Sequence, residues 1–157
     1  MFYIDTSVIA AYYCPEPLSE KADDFFISHL QPAISSLTDV ELFSAVARKI
    51  REGSLDRSDA SRITAKFLSH VDDSFYTVLP VLPNHYRLAR DWIAQFHVPL
   101  KALDALHLSI ASSAGRTIVT SDRQIATAAE RLAVESSRCR YRPPAGRSHR
   151  ARSCRDS

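Results

Sequence analysis

Four carboxylates, Asp5, Glu41, Asp104 and Asp122, occupy contexts from which they can do chemistry together. Phe2-Tyr3-Ile4 runs into Asp5-Thr6-Ser7, and Ser35-Ser36-Leu37-Thr38-Asp39-Val40 runs into Glu41. Leu103 precedes Asp104-Ala105-Leu106-His107, and Ile118-Val119-Thr120-Ser121 precedes Asp122. Each acid thus ends a β-like run or lies near the start of a helical pattern, and open α/β sheets gather ligand-binding groups at those places. Crowded carboxylates repel, by about 4 kcal/mol for a pair about 4 Å apart at an effective dielectric of about 20. If these four converge, either some of them bind protons or a cation enters. Oxygen ligands select a hard cation such as Mg²⁺, with Mn²⁺ as a substitute, whose remaining positions take water and phosphate oxygens. The chemistry expected is attack on a phosphodiester by a cation-activated water.

Each acid also has a structural explanation. Asp122, after Thr120-Ser121, is equally placed to cap a helix. Thr38-Asp39-Val40-Glu41 has the spacing of a capping box, in which the glutamate reaches back to the helix start. Asp5 too can be read as a helix cap or turn aspartate, but Thr6 and Ser7 are available as caps, which favours another role for its carboxylate. Asp104 stands among Leu103, Ala105, Leu106, Leu108 and Ile110. An unpaired charge there loses several kcal/mol of hydration, so it needs a cation or strong donors. His107, one turn on, is the local partner that would make Asp104 merely structural.

The elements that must position these groups can be read from periodicity. Short strands are expected at 2–4, 32–35 and 117–120, with a β-rich run at 75–82. Helices are expected from Thr6 or Ser7 through Tyr12, over 19–30, over 36–51 with Gly53 as its stop, and over 56–71. Pro83 opens another helix whose Tyr86, Ala89, Trp92, Ile93 and Phe96 share a face. The segment 101–114, apolar on nearly every side, predicts a buried helix closed by Gly115, and Asp122 begins a last amphipathic helix. Alternating strands and helices imply a three-layer α/β/α fold with a short, mostly parallel central sheet.

With 157 residues, 45% hydrophobic and 24% charged, the chain suits one helix-rich domain. No apolar run reaches the roughly 20 residues that span a bilayer, and Met1-Phe2-Tyr3-Ile4-Asp5 does not open like a signal peptide, so a cytoplasmic protein is expected. Cys14, Cys139 and Cys154 lack the close paired spacing of a zinc site and read as reduced thiols. The net charge of +2 conceals a division, because residues 137–157 hold seven arginines and one acid, whereas the first 136 hold 13 basic and 17 acidic side chains. Apolar periodicity fades beyond Val134. A domain over 1–135 followed by a disordered Arg-rich tail over 136–157 is expected. That tail is either a solvated end or an arm that attracts phosphate backbones.

Taken together, Ile4-Asp5-Thr6-Ser7-Val8-Ile9, Ser36-Leu37-Thr38-x-x-Glu41-Leu42, Leu103-Asp104-Ala105-Leu106-His107-Leu108 and Val119-Thr120-Ser121-Asp122-Arg123 resemble the PIN-domain ribonucleases, particularly VapC-type toxins. The resemblance covers residues 1 to about 135. It implies a Mg²⁺-dependent endoribonuclease acting on single-stranded or loop RNA and neutralised by a cognate antitoxin. It implies Asp5, Asp104, Glu41 and Asp122 as metal ligands and catalytic acids, with Thr6 and Thr120 as auxiliary polar groups that orient the cluster. A homodimer is implied as well, with DNA contacted only indirectly, through an antitoxin. The family's final strand has Leu132-Ala133-Val134 as its only apparent remnant here, and the Arg-rich tail has no counterpart in it. Aspartate-nucleophile phosphatases also begin with a strand ending in Asp, but their partner aspartate would fall at Ser7. A phosphorylation-receiver domain wants a lysine after a late strand, which Ile118-Val119-Thr120-Ser121 does not supply. The rival from another class is a PIN-like regulatory domain that binds RNA or an antitoxin without cutting. Tyr12, Tyr13, Phe25 and Phe26 are either ordinary core or a groove for an antitoxin helix.

Overall fold

A computed structural model describes residues 1–14, 19–29 and 31–139. Its five strands are β1 (Phe2–Ile4), β2 (Ala33–Ser35), β3 (Thr77–Leu79), β4 (Thr117–Thr120) and β5 (Ser136–Arg138). Between them lie α1 (Thr6–Tyr13) and α2 (Ser19–Ser28), α3 (Ser36–Arg51) and α4 (Arg57–Asp72), α5 (Pro83–Ile93) and α6 (Ala102–Ser113), and α7 (Arg123–Arg131). The strands form one sheet in the order β3-β2-β1-β4-β5, and every pairing is parallel.

Strand alternation explains the layers, because successive side chains point to opposite faces. Ile4, Ile34 and Val119 pack with α1 to α4 in one core. Their neighbours Tyr3, Ala33 and Ile118 pack with α6 and α7 in the other, against which Trp92 of α5 also rests. A sheet covered on both faces is what near-continuous apolar strands require. Ile4 and Ile118 are fully buried, and each burial contributes on the order of 2 kcal/mol. Among the described residues, no helix is long and apolar enough to cross a membrane.

Chain order reverses in the middle of the sheet. From β1 the chain builds outward through β2 to β3, then returns to the other side of β1 for β4 and β5. The crevice outside the carboxyl ends of β1 and β4 is therefore the switch point where such sheets bind ligands. Asp5 follows β1, and Ser121-Asp122 follow β4.

Two expectations are corrected, and one alternative is decided. The last strand is Ser136–Arg138 rather than Leu132-Ala133-Val134, so the sheet continues past residue 135 into the segment read as tail. Leu132 ends α7, and Ala133 turns the chain with φ of 53°. Ser-Ser-Arg can serve as a strand because it lies at the sheet edge, where Ile118 N–H donates to Glu135 O and Cys139 N–H to Thr120 O. Residues 140–157 lie outside the described residues, and so does Cys154. Phe96, expected on the apolar face of α5, lies beyond its end with φ of 57° and is 88% exposed. Tyr13 and Phe26 are buried, with Tyr12 and Phe25 packed against the same core, so these aromatics are mainly structural.

Candidate active site

Asp5 is itself the N-cap of α1, correcting the assignment of that role to Thr6 or Ser7. The residue is buried, 3% exposed. Oδ2 accepts from Ser7 N–H (3.3 Å), Ser7 Oγ–H (2.5 Å) and Thr120 Oγ1–H (2.9 Å). Thr120 Oγ1 in turn accepts from Asp122 N–H at 3.0 Å, and Ser7 Oγ accepts from Ser121 N–H at 3.1 Å. The ends of β1 and β4 are thereby tied together by side chains as well as by the Asp5 N–H bond to Val119 O. Thr120 is fully buried, and its hydroxyl bridges Asp5 and the turn before α7.

Glu41 lies in the second turn of α3 and is not part of a capping box. That helix begins after Ser35, whose N–H donates to Thr38 Oγ1 at 3.4 Å, so Thr38 holds the position assigned to glutamate. Glu41 instead reaches across the sheet end, where its Oε2 accepts from Thr6 Oγ1–H and from His107 Nε2–H, both at 2.5 Å. Burial alone would raise its pKa, but the hydrogen bond and charge of His107, with the Thr6 bond, outweigh it and hold the carboxyl below its ordinary value.

His107 is therefore paired with Glu41 rather than with Asp104, which corrects the local pairing considered for Asp104. The imidazole is 1% exposed. Nδ1 stands 2.6 Å from the Tyr3 hydroxyl, which stands 2.8 Å from Ser35 Oγ. With the ring protonated, Nε2–H donates to Glu41, Nδ1–H to the Tyr3 oxygen, and the Tyr3 hydroxyl to Ser35. Burial would push His107 down, yet its bond to Glu41 and the charges of Asp5, Glu41 and Asp104 lift its pKa above the usual histidine value. Burial, first of all, raises the pKa of the Tyr3 hydroxyl, so it stays a neutral link.

Asp104 lies in the first turn of α6 and is half-buried. Among the described residues none donates a hydrogen bond to it. Burial, then the neighbouring charges of Asp122 and Asp5, push its pKa up, with Lys101 and His107 offsetting only part. Asp122 caps α7, its Oδ1 accepting from Gln124 N–H (2.6 Å) and Ile125 N–H (3.4 Å). The charges of Asp122 and Asp5 act on Asp104, and those of Asp5, Glu41 and Asp104 act on His107.

The donor set suits a hard cation in type and charge, since it is carboxylate oxygen with one member, Asp104, without a hydrogen-bond donor among the described residues. Among the described residues, however, no three His, Cys, Asp or Glu side chains stand grouped to hold an ion as their rotamers lie. Asp5 and Glu41 are engaged by hydroxyls and His107, and Asp122 by its helix N-terminus. Sequence alone does not show Ser7, Tyr3 and Ser35 as members of this network, nor Glu41 as the partner of His107. The available signal was that Tyr3 and His107 carry polar atoms into otherwise apolar buried runs, which obliges them to find partners.

Comparison with known proteins agrees with this fold. The family model described as PIN domain matches residues 2–131. FitAcB from Neisseria gonorrhoeae aligns at 21% identity with a TM-score of 0.65, over 87% of this chain and 96% of that one. The sarcin-ricin-loop-cleaving toxin VapC20 of Mycobacterium tuberculosis aligns at 17% identity and TM-score 0.66, over 82% and 95%. PAE2754 of Pyrobaculum aerophilum aligns at 25% identity and TM-score 0.62, over 86% and 82%. No curated protein matches the chain in sequence. The match over residues 2–131, most of the described chain, on a sheet that is parallel throughout, makes this protein a member of the PIN-domain family.

Proposed function

We propose that the chain is a Mg²⁺-dependent endoribonuclease, Mn²⁺ substituting, that cuts single-stranded or loop RNA as a VapC-type toxin. The observation that carries this reading is Asp104: a half-buried carboxylate to which no described residue donates a hydrogen bond, pressed by the charges of Asp122 and Asp5 at the sheet's switch point. A protein tolerates such repulsion where a cation relieves it. Asp5 and Asp104 would hold the ion, with Glu41 and Asp122 as the remaining acidic ligands. The bound ion supplies Lewis acidity and lowers the pKa of water.

The chain's own residues prepare that chemistry. Thr120 and Ser7 fix Asp5 through Oδ2. Thr6 and His107 both engage Glu41 Oε2, which leaves Oε1 to accept a proton from an attacking water. His107, braced by Tyr3, keeps Glu41 ionised for that purpose. The solved relatives include FitAB and VapBC assemblies bound to DNA, which supports a cognate antitoxin as partner and DNA contact through it. A homodimer in the cytoplasm completes the reading.

A second reading, a PIN-like domain that binds RNA or an antitoxin without cutting, draws on the absence of a preformed three-ligand group among the described residues. Cleavage of a structured RNA pool separates the two. The nuclease cuts with Mg²⁺ or Mn²⁺, stops with EDTA, and is abolished by Asp5→Asn or Asp104→Asn with the fold retained; undiminished cutting by either variant overturns the reading.

A further inference from the structure

Three of the four acids find their hydrogen-bond donors within the chain. Glu41 Oε2 accepts from both Thr6 Oγ1–H and His107 Nε2–H, and a carboxylate oxygen has two lone pairs to give. That oxygen has none left for an ion. Asp5 Oδ2 is filled in the same way by the hydroxyls of Ser7 and Thr120, and Asp122 Oδ1 accepts from the first N–H groups of α7. Asp104 alone of the four accepts from no described residue. The repulsion left over is centred there, where Asp122 and Asp5 press on a half-buried carboxylate and Lys101 and His107 relieve only part.

His107 does more than complete Glu41. Its Nε2 also stands 3.8 Å from Asp5 Oδ1 and 3.3 Å from Thr6 Oγ1, so one ring N–H faces two of the four carboxylates. An ion shared by Glu41 and Asp5 on that side would have to approach where this N–H lies. The ring has little freedom to yield. It is 1% exposed, and its Nδ1 is held 2.6 Å from the Tyr3 hydroxyl, which is itself 2.8 Å from Ser35 Oγ. Close-packed interiors resist displacement of a side chain anchored at both ends. Nor does the obstruction depend on the charge of the ring, because a neutral imidazole that accepts from Tyr3 at Nδ1 still carries its hydrogen on Nε2.

Paired-metal sites of phosphodiester hydrolases hold two ions about 4 Å apart, one toward the attacking oxygen and one toward the leaving oxygen. We infer that His107 fills the place of a second ion, so that this acidic site takes a single divalent cation on its Asp104 side. The inference rests on the nuclease reading of these acids. Asp104 and Asp5 Oδ1 are the oxygens available to that cation, and Glu41 takes part through Oε1 alone.

The test is a Mn²⁺ titration of full-length protein, with bound ion counted by electron paramagnetic resonance, in wild type and in three variants of His107. Wild type takes up one ion per chain and shows the spectrum of an isolated ion. His107→Ala removes the N–H and opens its space, so uptake doubles to two per chain and the neighbouring ions couple and broaden the spectrum. His107→Asn is too short to reach Glu41 but keeps a polar group beside Tyr3; it is expected to behave as the alanine variant does and replaces it should alanine prevent folding. His107→Gln restores an N–H of similar reach without a titrating ring and stays at one ion. Two coupled ions in wild type overturn the inference, as do a single ion in folded His107→Ala or His107→Asn and a second ion in His107→Gln. No uptake by wild type overturns instead the nuclease reading on which the inference rests, and the inference with it.

Discussion

His107 Nε2 lies 2.5 Å from Glu41 Oε2, joining α6 to α3 across the carboxyl ends of the strands. The two residues are 66 apart in sequence, and Tyr3, on the other side of the imidazole, is 104 away from it. The pair is buried on the histidine side and 20% exposed on the glutamate side chain. It therefore links the integrity of the fold to the ionisation of a candidate catalytic group.

Removing one member of this pair leaves the other charge poorly compensated. His107→Ala is expected to destabilise the metal-free protein by about 3 kcal/mol, as for other buried pairs broken from one side. Urea denaturation of His107→Ala, Glu41→Ala and the double variant measures it. The double variant should lose less than the sum of the single losses, and strict additivity would show that the two side chains do not interact.

The pair also sets a pH window. His107 binds its proton more tightly folded than unfolded, so the stability it brings is full below its ordinary value of 6.5 and is lost as pH rises through its higher folded value. Glu41 holds its proton less tightly when folded. Its contribution is full above 4.5 and is lost as pH falls through its lower folded value. Metal-free protein should therefore gain most from the pair between about pH 4.5 and 6.5. Denaturation midpoints across pH check this, and His107→Gln should lose the alkaline limb attributable to the pair.

Asp104 behaves in the opposite sense to Glu41. Its raised pKa makes it a stabilising group only when protonated, below its ordinary 3.8, and that benefit is lost as pH rises through its folded value. At neutral pH, Asp104→Asn should raise the Tm of metal-free protein by a few degrees. Mg²⁺ should raise the wild-type Tm and leave that of the variant almost unmoved. Thermal scans with and without Mg²⁺ report both effects, and a variant less stable than wild type in EDTA would contradict the repulsion inferred at this site.

Thr120→Val keeps the shape of a buried β-branched residue but removes the donor to Asp5 and the acceptor for Asp122 N–H. A loss of about 1–3 kcal/mol is expected, because the main-chain N–H is left without its partner. If Thr120 orients Asp5, kcat for RNA cleavage falls while KM changes little. A KM effect alone would assign Thr120 to substrate binding.

Much of this arrangement was legible because its signals are local. Ile4-Asp5 and Ile118-Val119-Thr120-Ser121-Asp122 show strand ends followed by acids, and the apolar surroundings of Asp104 advertise an uncomfortable charge. What stayed hidden depends on distant chain segments. Glu41 has a capping-box spacing in sequence, and only the tertiary approach of Thr6 and His107 shows that its carboxylate points elsewhere. Strand β5 escaped notice because Ser136-Ser137-Arg138 has no apolar alternation, and main-chain bonding to β4 alone recruits it. Asp5, Thr6 and Ser7 are all plausible caps in sequence, and only the fold shows that the aspartate caps and the serine braces it.

The most direct test of the central claim is a Mn²⁺ titration of purified protein followed by electron paramagnetic resonance, which distinguishes bound from free ion without reference to RNA. If the acids converge on a cation, wild-type protein removes Mn²⁺ from the free signal at a saturable site, Mg²⁺ competes for it, and folded Asp5→Asn and Asp104→Asn lose it. Failure of wild-type protein to take up Mn²⁺, or uptake unchanged in both variants, would contradict the account.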